Sequence, residues 1–157
     1  MTMALRKKSI ALLAIAGSPI ALLLGWHSIG YPESLDEAYF LHQASSRISS
    51  GANELDLAGL MPGDWELVCG NDGYDGPLYL ARYNKTFDSG APAQDGAWGL
   101  VFISPDGSYS SVAGSCRVPG AQLNTNGCAE RSKARMVRAL DESGCPEFSI
   151  RTKAGAT

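Results

Sequence analysis

The feature that most limits what this chain can fold into is a basic cluster followed by a long uncharged run near the N-terminus. Arg6, Lys7 and Lys8 precede residues 9–31, which include no Lys, Arg, Asp or Glu. A basic flank before an apolar run directs a chain into a membrane with the basic end on the cytoplasmic side. We therefore expect everything after residue 31 to lie outside the cytoplasm and to build the fold on its own.

The uncharged run fits two kinds of targeting segment. A signal peptide has an apolar region of roughly 7–15 residues, whereas a membrane span needs about 20. The length of residues 9–31 favours an uncleaved membrane anchor, while Ser28-Ile29-Gly30 has the small-x-small form of a cleavage site. We expect a protein of the bacterial periplasm anchored to the inner membrane, with secretion after signal cleavage as the alternative. The chain then divides into an anchor or signal peptide (1–31), a helical stalk (32–54) and an exported β-rich domain (55–157).

All four cysteines lie in the exported part, at Cys69, Cys116, Cys128 and Cys145. An even number in an oxidising compartment indicates two disulfides, and no pair has the C-x-x-C spacing of a zinc site. A helix or a hairpin over residues 129–140 would hold Cys128 and Cys145 farther apart than the roughly 7 Å that a disulfide allows. We predict Cys116–Cys128, which closes a loop, and Cys69–Cys145, which ties the first strand to the last.

The composition favours strands over helices. Eighteen glycines and eight prolines are many for 157 residues, and both residue types build turns and interrupt helices. We predict one mainly β domain with a small antiparallel sheet of sandwich-like or barrel-like form. The most hydrophobic segment, 98–103, should be its central strand. Apolar patterns bounded by Gly and Pro predict strands at 65–69, 78–87, 98–103 and 108–118.

Two further segments complete the expected fold. Ser34 and Glu37 have the spacing of a capping box, which predicts a helix over residues 34–48 that serves as a stalk or as a lid on the domain. Residues 129–140 combine good helix formers with an alternating pattern, so helix and strand both stay open and strand is slightly favoured. As a strand, this segment forms a terminal hairpin with residues 145–151.

The stretch CGNDGYDGP (residues 69–77) carries several oxygen-bearing side chains, as a calcium loop does. An EF-hand loop needs oxygen ligands at alternate positions, Gly at position 6 and Glu at position 12. The register that starts at Asn71 places Arg82 at position 12, and the register that starts at Asp72 places Tyr74 at a ligand position. The pattern instead predicts a turn between strands 65–69 and 78–87, with Tyr74 at its tip.

Gly63-Asp64-Trp65, at the entry to the first strand, is similar to the G-x-W opening of lipocalin-like barrels and of related small bacterial protease inhibitors. The resemblance covers three residues. It implies a barrel whose end is plugged by the side chain of Trp65. The N-terminal helix and the four cysteines are not part of that pattern.

Catalytic motifs are absent from the sequence. The two histidines are His27 and His42, so the domain has none for a Ser-His-Asp or Cys-His site or for a histidine-based metal site. No phosphate loop, G-x-S-x-G or dinucleotide fingerprint occurs, and we predict no cofactor, no metal and no catalytic residue. The remaining route to catalysis is a carboxylate pair, with candidates Asp64, Glu66, Asp72 and Asp75.

Charge and aromatic residues narrow the choice of partner. Residues 31–116 carry twelve acidic and three basic residues, a balance that argues against nucleic acid. We expect a non-enzymatic protein-binding module, such as an inhibitor, an immunity-type protein or an accessory of an envelope complex. It would touch the membrane through residues 9–31 and its protein partner through Tyr74, Tyr79 and Tyr83. The alternatives are a small-ligand-binding barrel and a carboxylate-dependent hydrolase.

Overall fold

The computed structural model describes residues 34–124, 127–139 and 145–151, which form two small sheets, a separate hairpin and few helices. The strands are β1 (Glu54–Asp56), β2 (Leu67–Asp72), β3 (Leu78–Leu80), β4 (Lys85–Phe87), β5 (Ala97–Ile103), β6 (Tyr109–Ser115), β7 (Gln122–Asn124), β8 (Gly127–Glu130), β9 (Arg135–Arg138) and β10 (Glu147–Ile150). The helical elements are α1 (Leu35–Ser49), α2 (Leu57–Leu60) and a 3-10 turn (Arg131–Lys133). The prediction of a mainly β domain is confirmed.

The strands divide between two four-stranded sheets. The first sheet has the order β1-β9-β10-β7 and is antiparallel except for the parallel pair β10–β7. The second sheet has the order β6-β5-β2-β8 and is antiparallel throughout. Strands β3 and β4 pair only with each other within the described residues. The described strands thus form two open sheets and not the single closed barrel that the G-x-W resemblance implies.

Strand β5 is buried along its whole length. Because side chains alternate between the two faces of a strand, Trp98, Leu100 and Phe102 face a core shared by both sheets and α1. Val101 and Ile103 face the opposite side, toward the hairpin β3–β4. Strand β5 lies between β6 and β2, so the prediction of a central strand at 98–103 is confirmed.

Both of the domain's described tryptophans are buried with a partner for the indole N–H. Trp65 is 4 % exposed, packs edge-on against Phe102 at 5.0 Å between ring centroids and donates to the Met61 carbonyl at 3.0 Å. Trp98 donates to the Ala121 carbonyl at 2.9 Å. A buried indole N–H without an acceptor would destabilise the fold, so these bonds make both large side chains favourable in the core.

Helix α1 begins where the capping spacing predicts. The Ser34 hydroxyl accepts a hydrogen bond of 3.1 Å from the Glu37 N–H, and the helix of residues 35–49 matches the predicted 34–48. Phe40 and Ala44 are buried in the core shared with the sheets. Through these residues the helix packs against the sheets.

The predicted anchor, residues 9–31, lies outside the described residues. Within the described part of the chain, no helix is long and apolar enough to cross a membrane.

The four cysteines form two disulfides, but the predicted pairing is wrong. Cys69 bonds to Cys128 and Cys116 bonds to Cys145, whereas the predicted pairs are Cys116–Cys128 and Cys69–Cys145. Cys69 and Cys128 lie directly opposite each other on β2 and β8, with Cα atoms 4.0 Å apart. Opposed residues of an antiparallel pair that do not share ladder hydrogen bonds approach most closely, which places these two thiols within bonding reach.

The wrong pairing has a physical cause in residues 129–140, which are not one element. Strand β8 ends at Glu130, the 3-10 turn follows, and β9 then joins the other sheet. Cys128 thereby neighbours β2, and Cys145 precedes β10. Neither a helix nor a single strand over residues 129–140 forms: only β9 pairs with β10, as in the expected terminal hairpin. The turn expected at 141–144 lies outside the described residues.

The single strand predicted for residues 78–87 is also wrong, because the segment folds into the two strands of a hairpin. The chain turns between them, where the Tyr83 N–H donates to the Leu80 carbonyl at 3.1 Å. Asn84 closes the turn with a φ of 48°, a left-handed conformation that Asn adopts more readily than most residues. The apolar alternation of this segment therefore does not continue across residues 81–84.

The two disulfides differ in exposure, and we expect them to differ in reactivity. Cys69 is fully buried, whereas Cys116 is exposed, and a reducing thiolate must reach the sulfur that it attacks. Limiting reductant followed by alkylation and peptide mapping should therefore label Cys116 and Cys145 first. Labelling of Cys69 and Cys128 first, or a map that joins Cys116 to Cys128, would contradict the structure.

Gly114 of β6 should tolerate no larger side chain, because it lies opposite Trp98. A Cβ atom built there would be 2.2 Å from the indole ring. We expect Gly114→Val to lower the free energy of unfolding by about 1–3 kcal/mol through overpacking, measured by urea denaturation. Ser110→Val is the control at an exposed position of the same strand and should change stability by less than about 0.5 kcal/mol. Equal effects of the two variants would refute this packing.

Candidate interaction surface

The outer face of the second sheet is covered by the hairpin β3–β4. Leu78, Leu80 and Phe87 pack against Val101 and Ile103 of β5. Because side chains alternate along a strand, the residues between these point away from the sheet. The hairpin is therefore held by its inner face and presents its outer face to solvent.

Three aromatic rings form a row from the hairpin to β6. Phe87 contacts Tyr83 at 5.7 Å and Tyr109 at 5.3 Å between ring centroids, both in edge-on geometry. Such pairs contribute about 0.5–1.5 kcal/mol each beyond the area they bury. We call Tyr83, Phe87 and Tyr109 the aromatic ridge. Its middle ring is fully buried, whereas Tyr109 is 40 % exposed, so the ridge has a rigid base and an accessible end.

Two cationic side chains lie over the aromatic ridge. The Lys85 ammonium is 5.5 Å from the Phe87 centroid and 5.3 Å from that of Tyr109, and it donates to the Gly107 carbonyl at 3.0 Å. The Arg82 guanidinium is 5.3 Å from the Tyr83 centroid. Cations at this distance from an aromatic face are attracted to it. Arg82 is therefore positioned by a ring of the hairpin turn, and Lys85 by one ring of β4 and one of β6.

Glu66 ties the hairpin to the entry of β2. Its carboxylate accepts a hydrogen bond of 2.6 Å from the Tyr83 hydroxyl and lies 2.7 Å from an Arg82 guanidinium nitrogen. Burial raises the pKa of the Tyr83 phenol, and the hydrogen bond to Glu66 raises it further, against a smaller opposing effect of Arg82. Tyr83 thus acts as a neutral donor that fixes the turn of the hairpin.

Tyr79 is the most exposed aromatic residue of the hairpin, at 58 %. Its hydroxyl donates to the side-chain oxygen of Asn84 at 2.9 Å, so the ring is held across the turn. An exposed ring that is already oriented loses less conformational entropy when it is covered by a partner.

Tyr74 belongs to a different loop, which follows β2. It is 63 % exposed, and its hydroxyl donates to the Asp95 carboxylate at 2.9 Å. This hydrogen bond raises the pKa of the Tyr74 phenol. The bond joins two loops, residues 73–77 and 88–96, and neither loop is part of the aromatic ridge.

The stretch tested as a calcium loop is an extension of β2 followed by a turn. One oxygen of Asp72 accepts from the Tyr74 N–H at 2.8 Å and from the Asp75 N–H at 3.0 Å, and the Asn71 side chain donates to the Gly76 carbonyl. Side-chain bonds to nearby backbone of this kind are typical of Asx turns. The turn connects β2 to β3 as expected, although these two strands do not pair with each other.

The four candidate carboxylates are used in different ways. Glu66 binds Tyr83 and Arg82, Asp72 caps the turn, Asp64 is exposed at 3.8 Å from Arg131, and Asp75 is exposed at the turn. Among the described residues, no three His, Cys, Asp or Glu side chains come together in a group that could hold a metal ion.

A second exposed apolar surface lies between α1 and α2. Leu35 is 89 % exposed and Tyr39 is 49 % exposed. They border a shallow groove of about 460 Å³ whose lining is Leu35, Asp36, Tyr39, Ala58, Gly59 and Pro62. The groove is open to solvent and is not an enclosed ligand cavity.

The structure separates the three tyrosines that the sequence grouped together. Tyr79 faces outward from the hairpin, Tyr83 packs inward on Phe87, and Tyr74 lies on the neighbouring loop. Sequence reasoning missed Tyr109 as a member of this surface. Pairing the strands predicted at 98–103 and 108–118 with Tyr109 opposite Ile103, as the structure does, would have placed Tyr109 on the outer face of the second sheet.

Comparisons of the chain with protein-family models, with curated proteins and with solved structures returned no match.

The pKa of Tyr83 predicts a pH dependence of stability. A phenol whose pKa is raised in the folded state stabilises the fold below its unfolded value of about 10, and that contribution disappears as the pH rises through the folded pKa. Tyr83→Phe should therefore lower the free energy of unfolding by about 1 kcal/mol at pH 8, with a smaller difference from the wild type above pH 10. Urea denaturation at both pH values measures this.

Tyr109→Phe is the matched control, because Tyr109 makes no hydrogen bond through its hydroxyl within the described residues. Its stability should follow that of the wild type at both pH values. A constant difference between Tyr83→Phe and the wild type across the pH range would show that the Glu66 bond is not formed in solution.

Proposed function

We propose that this chain is an exported, membrane-tethered protein-binding module that contacts its partner with the hairpin β3–β4 and the adjoining start of β6. The observation that carries the proposal is that Tyr79, Tyr109, Arg82 and Lys85 are exposed on and beside the hairpin, with Arg82 over the Tyr83 ring and Lys85 over the rings of Phe87 and Tyr109. Tyr and Arg are the residue types that most often dominate binding energy at protein interfaces. The partner would be a protein of the cell envelope or a toxin.

Rigidity supports this assignment. Tyr79 is held by Asn84, Arg82 by Glu66, and Lys85 by the Gly107 carbonyl. Ordering a flexible side chain on binding costs about 0.5–1.5 kcal/mol. Because these contacts already order the side chains in the free protein, less of that cost arises on binding. A surface of oriented aromatic and cationic groups is therefore suited to a specific protein contact.

The disulfides support export. Two disulfides are consistent with an oxidising location such as the periplasm or the extracellular space. The uncharged run at residues 9–31 is the element that would deliver the chain there and hold it at the membrane.

The two alternative functions have less support. A ligand-binding barrel needs an interior cavity, whereas the space between the two sheets is filled by buried side chains such as Trp98, Phe102 and Phe148. A carboxylate-dependent hydrolase needs a pair of acids facing a cleft, whereas Glu66 and Asp72 already bind neighbouring groups.

Site-specific photo-cross-linking in the native envelope tests the proposal. A photoreactive phenylalanine analogue in place of Tyr79 should trap one discrete partner, which mass spectrometry identifies. The same analogue in place of Gln122, an exposed residue of the first sheet, is the control and should trap none. Equal products at both positions, or no product at either, would overturn the assignment of this surface.

Arg82→Ala tests the energetic importance of the same surface. We expect it to weaken partner binding about tenfold, because truncating an Arg at the centre of an interface commonly costs 1.4 kcal/mol or more. Arg138→Ala removes an exposed arginine from the first sheet and should leave the affinity unchanged. Binding of the purified full-length chain to the cross-linked partner by surface plasmon resonance gives both values.

A further inference from the structure

The four edge strands of the two sheets are not equally protected. Strands β1 and β7 have three residues each, β8 has four, and β6 has seven. Charged residues discourage an incoming strand, and β1 carries Glu54 and Asp56 while β8 ends in Glu130. Strand β6 has the sequence YSSVAGS, without a charge or a proline. Within the described part of the chain, β6 is therefore the longest of the four edges, and like β7 it carries neither a charge nor a proline.

The direction of the backbone groups of β6 follows from the turn that precedes it. The Ser104 N–H donates to the Ser108 carbonyl at 2.8 Å, so these residues form a hydrogen-bonded pair. Bonded and non-bonded pairs alternate along an antiparallel ladder, and with the register of β5 and β6 the next bonded residues are Ser110, Val112 and Gly114. The N–H and C=O groups of the alternate residues point away from β5: Tyr109, Ser111, Ala113 and Ser115.

The far half of this outward edge is occupied by the protein itself. The Ala113 N–H donates to the Glu37 carboxylate of α1 at 3.0 Å. The Ser115 N–H donates to the Val118 carbonyl at 2.7 Å. Both bonds agree with the outward direction derived from the ladder, and together they close β6 from Ala113 onward to any further strand.

The near half of the edge is open. Within the described residues, no acceptor binds the N–H of Tyr109 or of Ser111. Tyr109 and Ser110 are exposed, and Ser111 is partly exposed. A short stretch of extended backbone at residues 109–111 therefore offers two outward donors and two outward acceptors to solvent.

We propose that residues 109–111 of β6 bind an extended peptide segment of the partner protein by strand addition to the second sheet. Strand addition gives affinity through main-chain hydrogen bonds and specificity through alternate side chains. The inference rests on the proposed function and names the form of the partner, a segment of about three to five residues in β conformation. The Glu37 bond to Ala113 limits its length at one end, and the turn before Tyr109 limits it at the other.

The open edge is continuous with the candidate interaction surface. Tyr109 belongs to both, because its backbone lies on the edge and its ring ends the aromatic ridge. An added strand would place alternate side chains beside the Tyr109 ring and the Lys85 ammonium. The edge and the hairpin therefore form two parts of one binding site.

Proline at position 111 is the decisive variant. Ser111→Pro removes an N–H that points away from β5 and so breaks no bond within the sheet, and proline is accepted at such edge positions. Ser111→Ala removes only the hydroxyl and is the control. The probe is a phage-displayed library of random ten-residue peptides, selected on the full-length chain. Selected peptides should bind the wild type and Ser111→Ala equally and bind Ser111→Pro at least tenfold more weakly.

Amide hydrogen exchange of the wild type provides a second measurement, which does not require that the Ser111→Pro variant fold correctly. The N–H groups of Tyr109 and Ser111 should exchange rapidly in the free protein and at least tenfold more slowly with a selected peptide bound. Failure to select a peptide, equal binding to Ser111→Pro, or protection confined to other strands would overturn strand addition.

Cross-linking from position 79 separates this inference from the proposed function. If Ser111→Pro still cross-links the native partner as the wild type does, the binding module stands and strand addition fails. If selected peptides add to the edge while no native partner cross-links, strand addition stands and the assignment of the hairpin surface fails.

Discussion

Burial of β5 on both of its faces is the constraint on which the other parts of this domain depend. A strand whose seven residues are all buried needs apolar cover on each side. Trp98, Leu100 and Phe102 obtain theirs from α1 and the first sheet. Val101 and Ile103 have no such layer and are covered by the small hairpin β3–β4. The hairpin is therefore required for stability, and because its inner face is packed on β5, its outer face is held in a fixed position.

Helix α1 does more than complete the core. Its Phe40 is fully buried, which stabilises the fold by about 1.5–3 kcal/mol, and its Glu37 carboxylate bonds to the backbone of β6. A buried carboxylate is unfavourable unless such bonds compensate it. The same contact closes half of an otherwise open sheet edge. The packing of one helix thus sets both the stability of the second sheet and the length of backbone left accessible.

Local signals in the sequence predict several individual elements, but they do not predict which elements lie beside each other in the fold. The apolar run at β5 and the Ser34 cap each depend on a few neighbouring residues, and both are predicted from the sequence. The disulfide pairing depends on which strand lies beside β2, a non-local fact. The pairing depends on the break between β8 and β9 at residues 131–133, and these residues include no glycine or proline that would indicate a break. Likewise, the fold-back within residues 78–87 is marked in the sequence by Asn84, a residue type that tolerates the positive φ found there.

The candidate site shows the same division between local and non-local information. Tyrosine content pointed to Tyr74, Tyr79 and Tyr83, but only the fold shows that Tyr83 packs inward on Phe87 while Tyr74 and Tyr79 are exposed. Tyr109, Lys85 and Arg82 join them because the turn before β6 lies against the turn of the hairpin. That juxtaposition also brings the open backbone of residues 109–111 beside the aromatic ridge. A partner that pairs with the edge must pass the rings, so main-chain pairing and side-chain selection act on the same segment.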